Sequence, residues 1–340
     1  MSVQALKRRW LGAKARHPLL GWATRWGVSA GSLLGGLAAL FVFRRALPHV
    51  GWIVGYLILL WFLFTVFTHF RQSLEERGRR LVITAADYTI QTLCHGLLLF
   101  VLPGYYASTT FPSVNVWFFL LLVGLALVTT LDPWYRALVI PRRWAGRVLF
   151  AVSFFAALNV ALPLVGVRPI WALEASAVLS VLALTPGLRR AGGSWKGAWI
   201  RSGSYAVLAA VLLWYLRTGI PPAPLHLART TAARAVIRLE PVEPVTSVSA
   251  AQLREWGGVV AYTTVYAPAG LREPIAHIWL KDGVVVARIP LTPVRGGRAQ
   301  GFRTYSRKGD LGPDPVGRWT VDVVTASGQL IGRLRFTVTP

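Results

Sequence analysis

The stretch that decides the fold is residues 71–102, RQSLEERGRRLVITAADYTIQTLCHGLLLFVL. It begins with a basic run, residues 71–80, and continues into an apolar segment, Leu81–Leu102, that meets the length of about 20 residues needed to cross a bilayer. The loop that follows, Pro103–Ser113, contains no Lys or Arg. Because Lys and Arg concentrate in the cytoplasmic loops of membrane proteins, this stretch predicts a helix that enters the membrane from the cytoplasm.

Further apolar segments lie on both sides of this one, so the sequence predicts an all-α membrane bundle of about seven transmembrane helices. In chain order the predicted spans are Trp26–Phe43, Val50–Thr68, Leu81–Leu102, Val114–Leu131, Val148–Val165, Ile170–Leu184 and Tyr205–Leu216. The last two are short. Ile170–Leu184 is the weakest of the seven, and its loss would move the rest of the chain to the opposite side of the membrane.

The charge of the connections alternates along the chain. Residues 1–25, 71–80, 136–147 and 189–201 are rich in Arg. The connections between them hold few basic residues, namely Arg44, Arg45 and Arg168. This alternation predicts a cytoplasmic N-terminus. Since seven is odd, it also predicts a periplasmic C-terminal domain on a protein of the bacterial inner membrane.

The composition agrees with a membrane protein. Hydrophobic residues make up 54% of the chain and charged residues 15%, whereas about 25% of the residues in soluble proteins are charged. The net charge of +24 is spread over short loops, which predicts contacts with anionic lipids at the cytoplasmic loops rather than with nucleic acid. Cys94 is the single cysteine, so the C-terminal domain has no disulfide. The motifs of metal and cofactor sites are missing, and we expect no cofactor.

Polar residues recur along one face of the third predicted span. At steps of three and four residues they are Thr84, Asp87, Tyr88, Gln91 and His95. Glu174 in the sixth span lies at about the depth of His95, which allows a contact if the two spans are neighbours. Polar groups at membrane depth normally face a bundle interior, so these residues predict a polar seam between helices. A proton or ion path, and haem or chlorophyll ligation by His95, are the alternatives.

Two pairs of glycines at four-residue spacing lie in the first two predicted spans. They are Gly31 with Gly35 and Gly51 with Gly55. Small residues at this spacing let helices approach closely. The steps predict internal helix packing, with the docking of a partner subunit as the alternative.

After the last span the pattern changes to that of strands. A Pro-rich linker, residues 219–232, separates the helical domain, residues 26–218, from residues 233–340, where apolar and polar side chains alternate in short segments. The dipeptide Asp282-Gly283 predicts a hairpin turn. Short strands joined by regularly spaced turns predict an antiparallel, immunoglobulin-like β-sandwich.

Three motifs follow one another in this region. They are His277-Ile-Trp279, Tyr305-Ser306-Arg-Lys308 and Gly317-Arg-Trp319-Thr-Val. Through these motifs the residues from about Val259 to Val338 resemble a bacterial domain-of-unknown-function family of small all-β domains that are tethered to membranes or exported. The helical half is similar to a membrane region sometimes fused to such domains. The chain departs from the family pattern at residues 295–301, RGGRAQG, an insert before the second motif. The resemblance implies a fold and no activity.

The motif side chains have structural and functional interpretations. Trp279 and Trp319 are expected to fill the core of the domain. A nucleophile needs a base within hydrogen-bond reach, and Ser306 with His277 would supply one, but their spacing in the sequence does not require it. The sequence therefore predicts no catalytic residue.

The outer surface of the β domain is the second candidate site. Arg303, Tyr305 and Lys308 are expected on an exposed strand face, as a surface for a protein partner or as a platform for glycan or anionic polymer. The sequence favours a non-enzymatic membrane subunit that scaffolds a larger assembly of other membrane protein subunits. The alternatives are an envelope receptor for glycan or anionic polymer, and a transporter or proton-coupled enzyme that uses the polar stripe.

Overall fold

The structure, a computed structural model, describes residues 50–189 and 194–340. The chain divides into two compact units. The first contains the described residues up to Phe100 together with Leu122–Ser153, and the second contains Val101–Leu121 and Phe154–Pro340. The C-terminal β domain and the helix ends next to it therefore belong to one unit.

Eight helices precede the β domain in the described residues. They are α1 (Val50–Glu76), α2 (Arg80–Ser108), α3 (Val116–Thr130), α4 (Asp132–Leu138), α5 (Arg143–Leu164), α6 (Pro169–Leu182), α7 (Thr185–Leu188) and α8 (Trp195–Leu216). Gly78, at φ +66°, takes the left-handed conformation that ends α1. The basic run 71–80, expected as a loop, is mostly helical because α1 continues to Glu76.

Among the described residues, four helices are long and apolar enough to cross a membrane: α1, α2, α5 and α8. The number rises to five if α3 and α4, which meet at a bend of 103°, form one broken span. Helix α6 is apolar but shorter. The predicted spans from the second to the seventh each coincide with one of these helices, whereas Trp26–Phe43 lies outside the described residues.

Eleven strands and one helix form the β domain, residues 226–339, which the structure describes without a gap. In chain order they are β1 (His226–Ile237), β2 (Glu240–Val245), β3 (Ser247–Ser249), α9 (Ala250–Trp256), β4 (Val259–Tyr266), β5 (Arg272–Glu273), β6 (Ile275–Lys281), β7 (Val284–Pro290), β8 (Val294–Arg295), β9 (Phe302–Lys308), β10 (Gly317–Thr325) and β11 (Leu330–Thr339).

These strands form three sheets in the C-terminal domain. One has the order β2-β1-β4-β9, the second β3-β11-β10-β6-β7, and the third consists of β5 and β8. All pairs are antiparallel except β11 with β3, which is parallel. Apolar side chains of the two large sheets meet in one buried cluster, in which Ala261 of β4 lies with Trp279 of β6 and Trp319 of β10. The two tryptophans thus fill the core, as their alternating positions predict.

The β domain differs from the sequence expectation at its start. Strand β1 begins at His226, inside the range predicted as linker, and pairs with β4 from its first residue. Helix α9 was not predicted, although Ser249 and Gln252 form the capping box that begins it. The predicted hairpin turn at Asp282-Gly283 is present, and both residues have positive φ, +47° and +86°.

Candidate functional site

The predicted polar stripe forms hydrogen bonds at the bend between α3 and α4. The Nε2 atom of Gln91 donates to the carbonyl oxygen of Thr129 and to Oδ1 of Asp132, both at 2.9 Å. His95 lies one turn further along α2, with Nδ1 3.4 Å from Oγ1 of Thr129 and 3.2 Å from Oγ1 of Thr130. The side chains of Gln91 and His95 are 7% and 2% exposed. The stripe therefore fixes α2 to the broken end of α3.

The chemistry of this seam follows from the break in the helix. The last carbonyls of a helix have no partner within it, and Gln91 satisfies that of Thr129. The hydroxyl groups of Thr129 and Thr130 each donate to a carbonyl of the preceding turn, at 2.7 to 3.0 Å. When both hydroxyl protons are used on these carbonyls, Nδ1 of His95 is the donor to the hydroxyl oxygens.

The rest of the stripe lies outside this seam. Thr84 donates to the carbonyl of Arg80 on its own helix, and Tyr88 is exposed, because no described residue covers that part of α2. Asp87 forms a 3.3 Å ion pair with Arg71 on α1. Only Gln91 and His95 of the five stripe residues are thus buried in the seam, among the residues that the structure describes.

Glu174 occupies an apolar groove in the second unit. The groove has a volume of about 550 Å³ and is lined by Trp171, Glu174, Ala175, Val178, Leu179, Ala210 and Trp214. The Oε1 atom of Glu174 is buried and has no hydrogen-bond partner among the described residues. Because His95 and Glu174 belong to different units, the predicted contact between them stays a prediction.

The predicted glycine steps are only partly described. Gly31 and Gly35 lie outside the described residues, and Gly51 lies near the start of α1. A Cβ atom added to Gly55 would have no described neighbour within 4 Å. The described structure therefore gives Gly55 no close helix contact.

The family-like motifs of the β domain converge on a buried hydrogen-bond cluster, which we call the His277 cluster and define as Thr263, His277, Trp279 and Ser306. Nδ1 of His277 lies 2.8 Å from Oγ of Ser306, and Nε2 lies 3.0 Å from Oγ1 of Thr263. The indole of Trp279 donates to the same Ser306 oxygen at 3.0 Å. Strand β6 supplies His277 and Trp279, and the other large sheet supplies Thr263 and Ser306. The cluster therefore joins the two sheets through their polar groups.

The His277–Ser306 pair has the contact of a base and a nucleophile but not their accessibility. His277 is 0% and Ser306 4% exposed. The other ring nitrogen meets the hydroxyl of Thr263 rather than an orienting carboxylate. Burial lowers the pKa of His277 to about 4, so the imidazole is neutral at physiological pH. This arrangement suits a structural clamp within the core.

The predicted outer surface divides between two faces of β9. Arg303 and Tyr305 alternate with buried residues and share the outer face, where Tyr305 is 45% exposed. Arg303 is held by a 2.8 Å ion pair with Glu240. Lys308 lies an odd number of residues from Arg303 and Tyr305, so its side chain is on the opposite face of the strand. Tyr305 is thus the exposed centre of the predicted surface.

A half-buried ion pair joins the β domain to the start of α6. Nε of Arg168 lies 3.1 Å from Oε2 of Glu273, whose side chain is 1% exposed. Burial raises the pKa of the Glu273 carboxyl above its usual value, although Arg168 acts in the opposite direction. Arg168 therefore offsets part of the cost of the buried carboxylate. The two residues are 105 positions apart, and no sequence signal relates them.

Two further helix-end segments bind the same domain through neutral acceptors. Arg335 of β11 donates to the carbonyl of Phe111, in the loop between α2 and α3, at 2.9 Å. Arg217, which follows α8, donates to the carbonyl of Ser327 at 2.8 Å. Together with the Arg168–Glu273 pair, these contacts fix the β domain to three helix ends within one compact unit.

The fold defines a class of protein: a helical region with four to five candidate membrane spans in its described part, followed by a β-sheet domain. Residues 14–260 match the model of a family described as "Family of unknown function (DUF5924)". Because this match covers more than half of the chain, the protein belongs to that family. Residues 272–338 match a second model, "Protein of unknown function (DUF2914)". No curated protein and no solved structure matches the chain.

Proposed function

We propose that this protein is a non-enzymatic integral membrane subunit that scaffolds a larger assembly, with the β domain making contacts to other subunits. The observation that carries the proposal is the attachment of the β domain to three helix ends through Arg168, Arg217 and Arg335. A domain held in this way has a fixed position and orientation relative to the helix ends. A surface that is already fixed loses less conformational entropy when a partner binds.

The proposal includes seven spans and a periplasmic β domain. The segments that bind the β domain, residues 111–112, 168 and 217, are the ones that the charge pattern predicts on one side of the membrane. Exposed tryptophans mark both ends of α8, at Trp195 and at Trp214, as in the aromatic belts of membrane proteins. The rise between them is roughly 28 Å at 1.5 Å per residue, close to the thickness of a bilayer core. These features support an N-terminus in the cytoplasm and an inner-membrane location.

An immunoglobulin-like β-sandwich is part of the same proposal. The two large sheets share apolar side chains in one core, and the His277 cluster ties them together. The short sheet of β5 and β8 lies outside this two-sheet arrangement.

Three observations favour a scaffold over the alternatives. The base–nucleophile pair of the β domain is buried between the two sheets, which suits structure rather than catalysis. A glycan platform would use Arg303, Tyr305 and Lys308 together, but Arg303 is paired with Glu240 and Lys308 lies on the other parity of β9. In the described helices, Gln91 and His95 form hydrogen bonds between helices, and this arrangement favours a structural seam over a path for protons or ions.

The test is the mass of the full chain purified in mild detergent from its own host at native expression. We expect native mass spectrometry to show other membrane subunits in fixed stoichiometry with this 37.3 kDa chain. The Arg168→Gln variant leaves Glu273 buried without its cation, which costs about 2 kcal/mol or more and should loosen the docked domain. We therefore expect this variant to lose partner subunits.

Arg318→Gln is the matched control, because Arg318 is exposed at the start of β10 and forms none of the three contacts to the helix ends. It should retain the full assembly. A wild-type chain that purifies alone, with no subunit bound in any mild detergent, would contradict the scaffold role.

A further inference from the structure

Two arginines face each other in the short sheet beside the helix ends. Arg272 of β5 and Arg295 of β8 are direct partners in an antiparallel pair. Side chains of such partners point to the same face, with Cβ atoms about 5 Å apart. Both arginines are exposed, while the neighbouring residues Glu273 and Val294 are buried. The strand pair thus places two guanidinium groups side by side at the surface.

Like charges directly opposite each other destabilise a strand pair. No ion pair or hydrogen bond neutralises the side chains of Arg272 and Arg295 within residues 50–189 and 194–340. The neighbouring carboxylate, Glu273, points to the buried side and is bound to Arg168. An anion placed between the two guanidinium groups would turn this repulsion into attraction.

Residues 295–301, which the sequence predicts to be an insert, begin with Arg295 and hold it in place through two glycines. The amide of Gly296 donates to the carbonyl of Leu271, and that of Gly297 to the carbonyl of Ala267, both at 3.0 Å. A Cβ atom on Gly296 would lie 1.7 Å from the carbonyl oxygen of Pro268. Glycine is therefore required for this close approach, which holds Arg295 opposite Arg272.

The pair lies one residue from a contact with a helix end. Glu273, next to Arg272 in the chain, contacts Arg168 directly before α6. Trp171, three residues into that helix, is exposed, as is Trp214 near the end of α8. Exposed tryptophans at helix ends mark the interface between hydrocarbon and headgroups, a layer about 5–8 Å thick on each side. In the topology proposed above, the short sheet therefore lies beside this layer.

We propose that Arg272 and Arg295 bind the phosphate of an anionic membrane lipid. A guanidinium group binds phosphate oxygens through two parallel hydrogen bonds, so two of them side by side would clamp one headgroup. The choice of lipid over free phosphate rests on the proposed function, in which the helix ends that hold the β domain lie at the bilayer surface. The site also gives the insert a role: it adds a lipid contact on the side of the membrane that carries the β domain.

The test measures lipid binding to the full chain in detergent by native mass spectrometry, with phosphatidylglycerol and phosphatidylcholine as probes. The variant is Arg272→Gln with Arg295→Gln. The control, Arg288→Gln with Arg318→Gln, removes the same charge from two other exposed positions of the β domain. Each Arg near an anionic surface contributes roughly a factor of five, so the variant should bind the first phosphatidylglycerol about 25-fold more weakly. The control should match the wild type.

Thermal unfolding separates loss of the site from loss of the fold. Without lipid, the variant should be as stable as the wild type or slightly more so, because the opposed charges are gone. Phosphatidylglycerol should raise the Tm of the wild type and control more than that of the variant. The conservative variant Arg272→Lys with Arg295→Lys keeps the charge but not the paired hydrogen bonds, and should fall between.

Three outcomes would overturn the proposal. The first is a variant that binds phosphatidylglycerol as tightly as the control does. The second is equal affinity of the wild type for the two lipids. The third is displacement of the lipid by millimolar inorganic phosphate, which would identify a site for free anions instead.

Discussion

The chain buries a histidine in each of two regions, and the two are held in different ways. In the helical region, the hydroxyl groups that meet His95 also bond to the backbone of their own helix. In the β domain, both ring nitrogens of His277 meet hydroxyl groups of the facing sheet, and Trp279 shares one of them. The helical seam provides hydrogen-bond partners for groups exposed by the break between α3 and α4. The His277 cluster instead connects two sheets that have no backbone hydrogen bonds between them.

The contribution of a buried histidine to stability depends on whether its partners have other hydrogen bonds available. Around His95 the backbone provides alternative partners, so the loss of one side chain is partly compensated. Around His277 the two hydroxyl groups come from the facing sheet, and Thr263 and Ser306 both lose the imidazole as a partner when it is removed. We therefore expect changes at His277 to cost more than changes in the seam.

The largest expected effect is that of His277→Ala. The substitution leaves a cavity in the core and removes a partner from Thr263 and Ser306, which together cost about 3–4 kcal/mol of unfolding free energy. Hydrogen exchange of the full chain in detergent, followed by mass spectrometry, should show faster exchange of the peptides from β4, β6 and β9. Tyr305→Phe, an exposed change on β9, is the control and should leave exchange unaltered. A loss below about 1 kcal/mol would remove the difference between the two regions.

The pH dependence of the β domain should be nearly as large. Burial lowers the pKa of His277 to about 4, from 6.5. Between these values the unfolded chain binds a proton that the folded chain does not, so stability is full above pH 6.5 and decreases as the pH falls toward 4. The decrease attributable to this group is about 3 kcal/mol. Burial also lowers the pKa of His226, which adds to the loss in the same direction.

The difference between wild type and His277→Gln isolates this effect, because His226 is present in both. Denaturant unfolding of each full chain, monitored by tryptophan fluorescence at pH 7 and at pH 4.5, gives the change in unfolding free energy with pH for the wild type and for the variant. The variant should lose less stability than the wild type on acidification. Parallel curves would show that His277 does not titrate in this window.

The smallest expected effect lies in the helical seam. Gln91→Leu removes the donor to Thr129 and Asp132 at nearly constant volume, and hydrogen bonds between helices in membranes contribute about 1 kcal/mol. Unfolding of the detergent-solubilised chain in sodium dodecyl sulfate measures this cost. Thr92→Val, which affects a hydroxyl bonded only within α2, serves as the control and should change little. A cost at Gln91 above that at His277 would reverse the comparison.

The periodic features of the sequence correspond closely to the structure. The apolar segments from the second to the seventh are helices, Asp282-Gly283 is a hairpin turn, and Trp279 and Trp319 fill a core. These features depend on neighbours within a few residues, which a sequence displays directly. Thr84 and Tyr88 share a helical face with Gln91 and His95 but are exposed, because the periodicity gives the face and not the helix that covers it.

The sequence by itself determined the apolar helical region, the change to short strands after the last helix, and the candidates for both polar clusters. The tertiary structure alone decided which of them meet: Gln91 with the bend after Thr129, His277 with Ser306, Arg168 with Glu273, and Arg272 with Arg295. The physical reason is that hydrogen bonds and ion pairs act over about 3 Å, while the partners lie up to 105 residues apart in the chain. Local periodicity chooses the face that a residue occupies, and only the packing of distant elements chooses its partner.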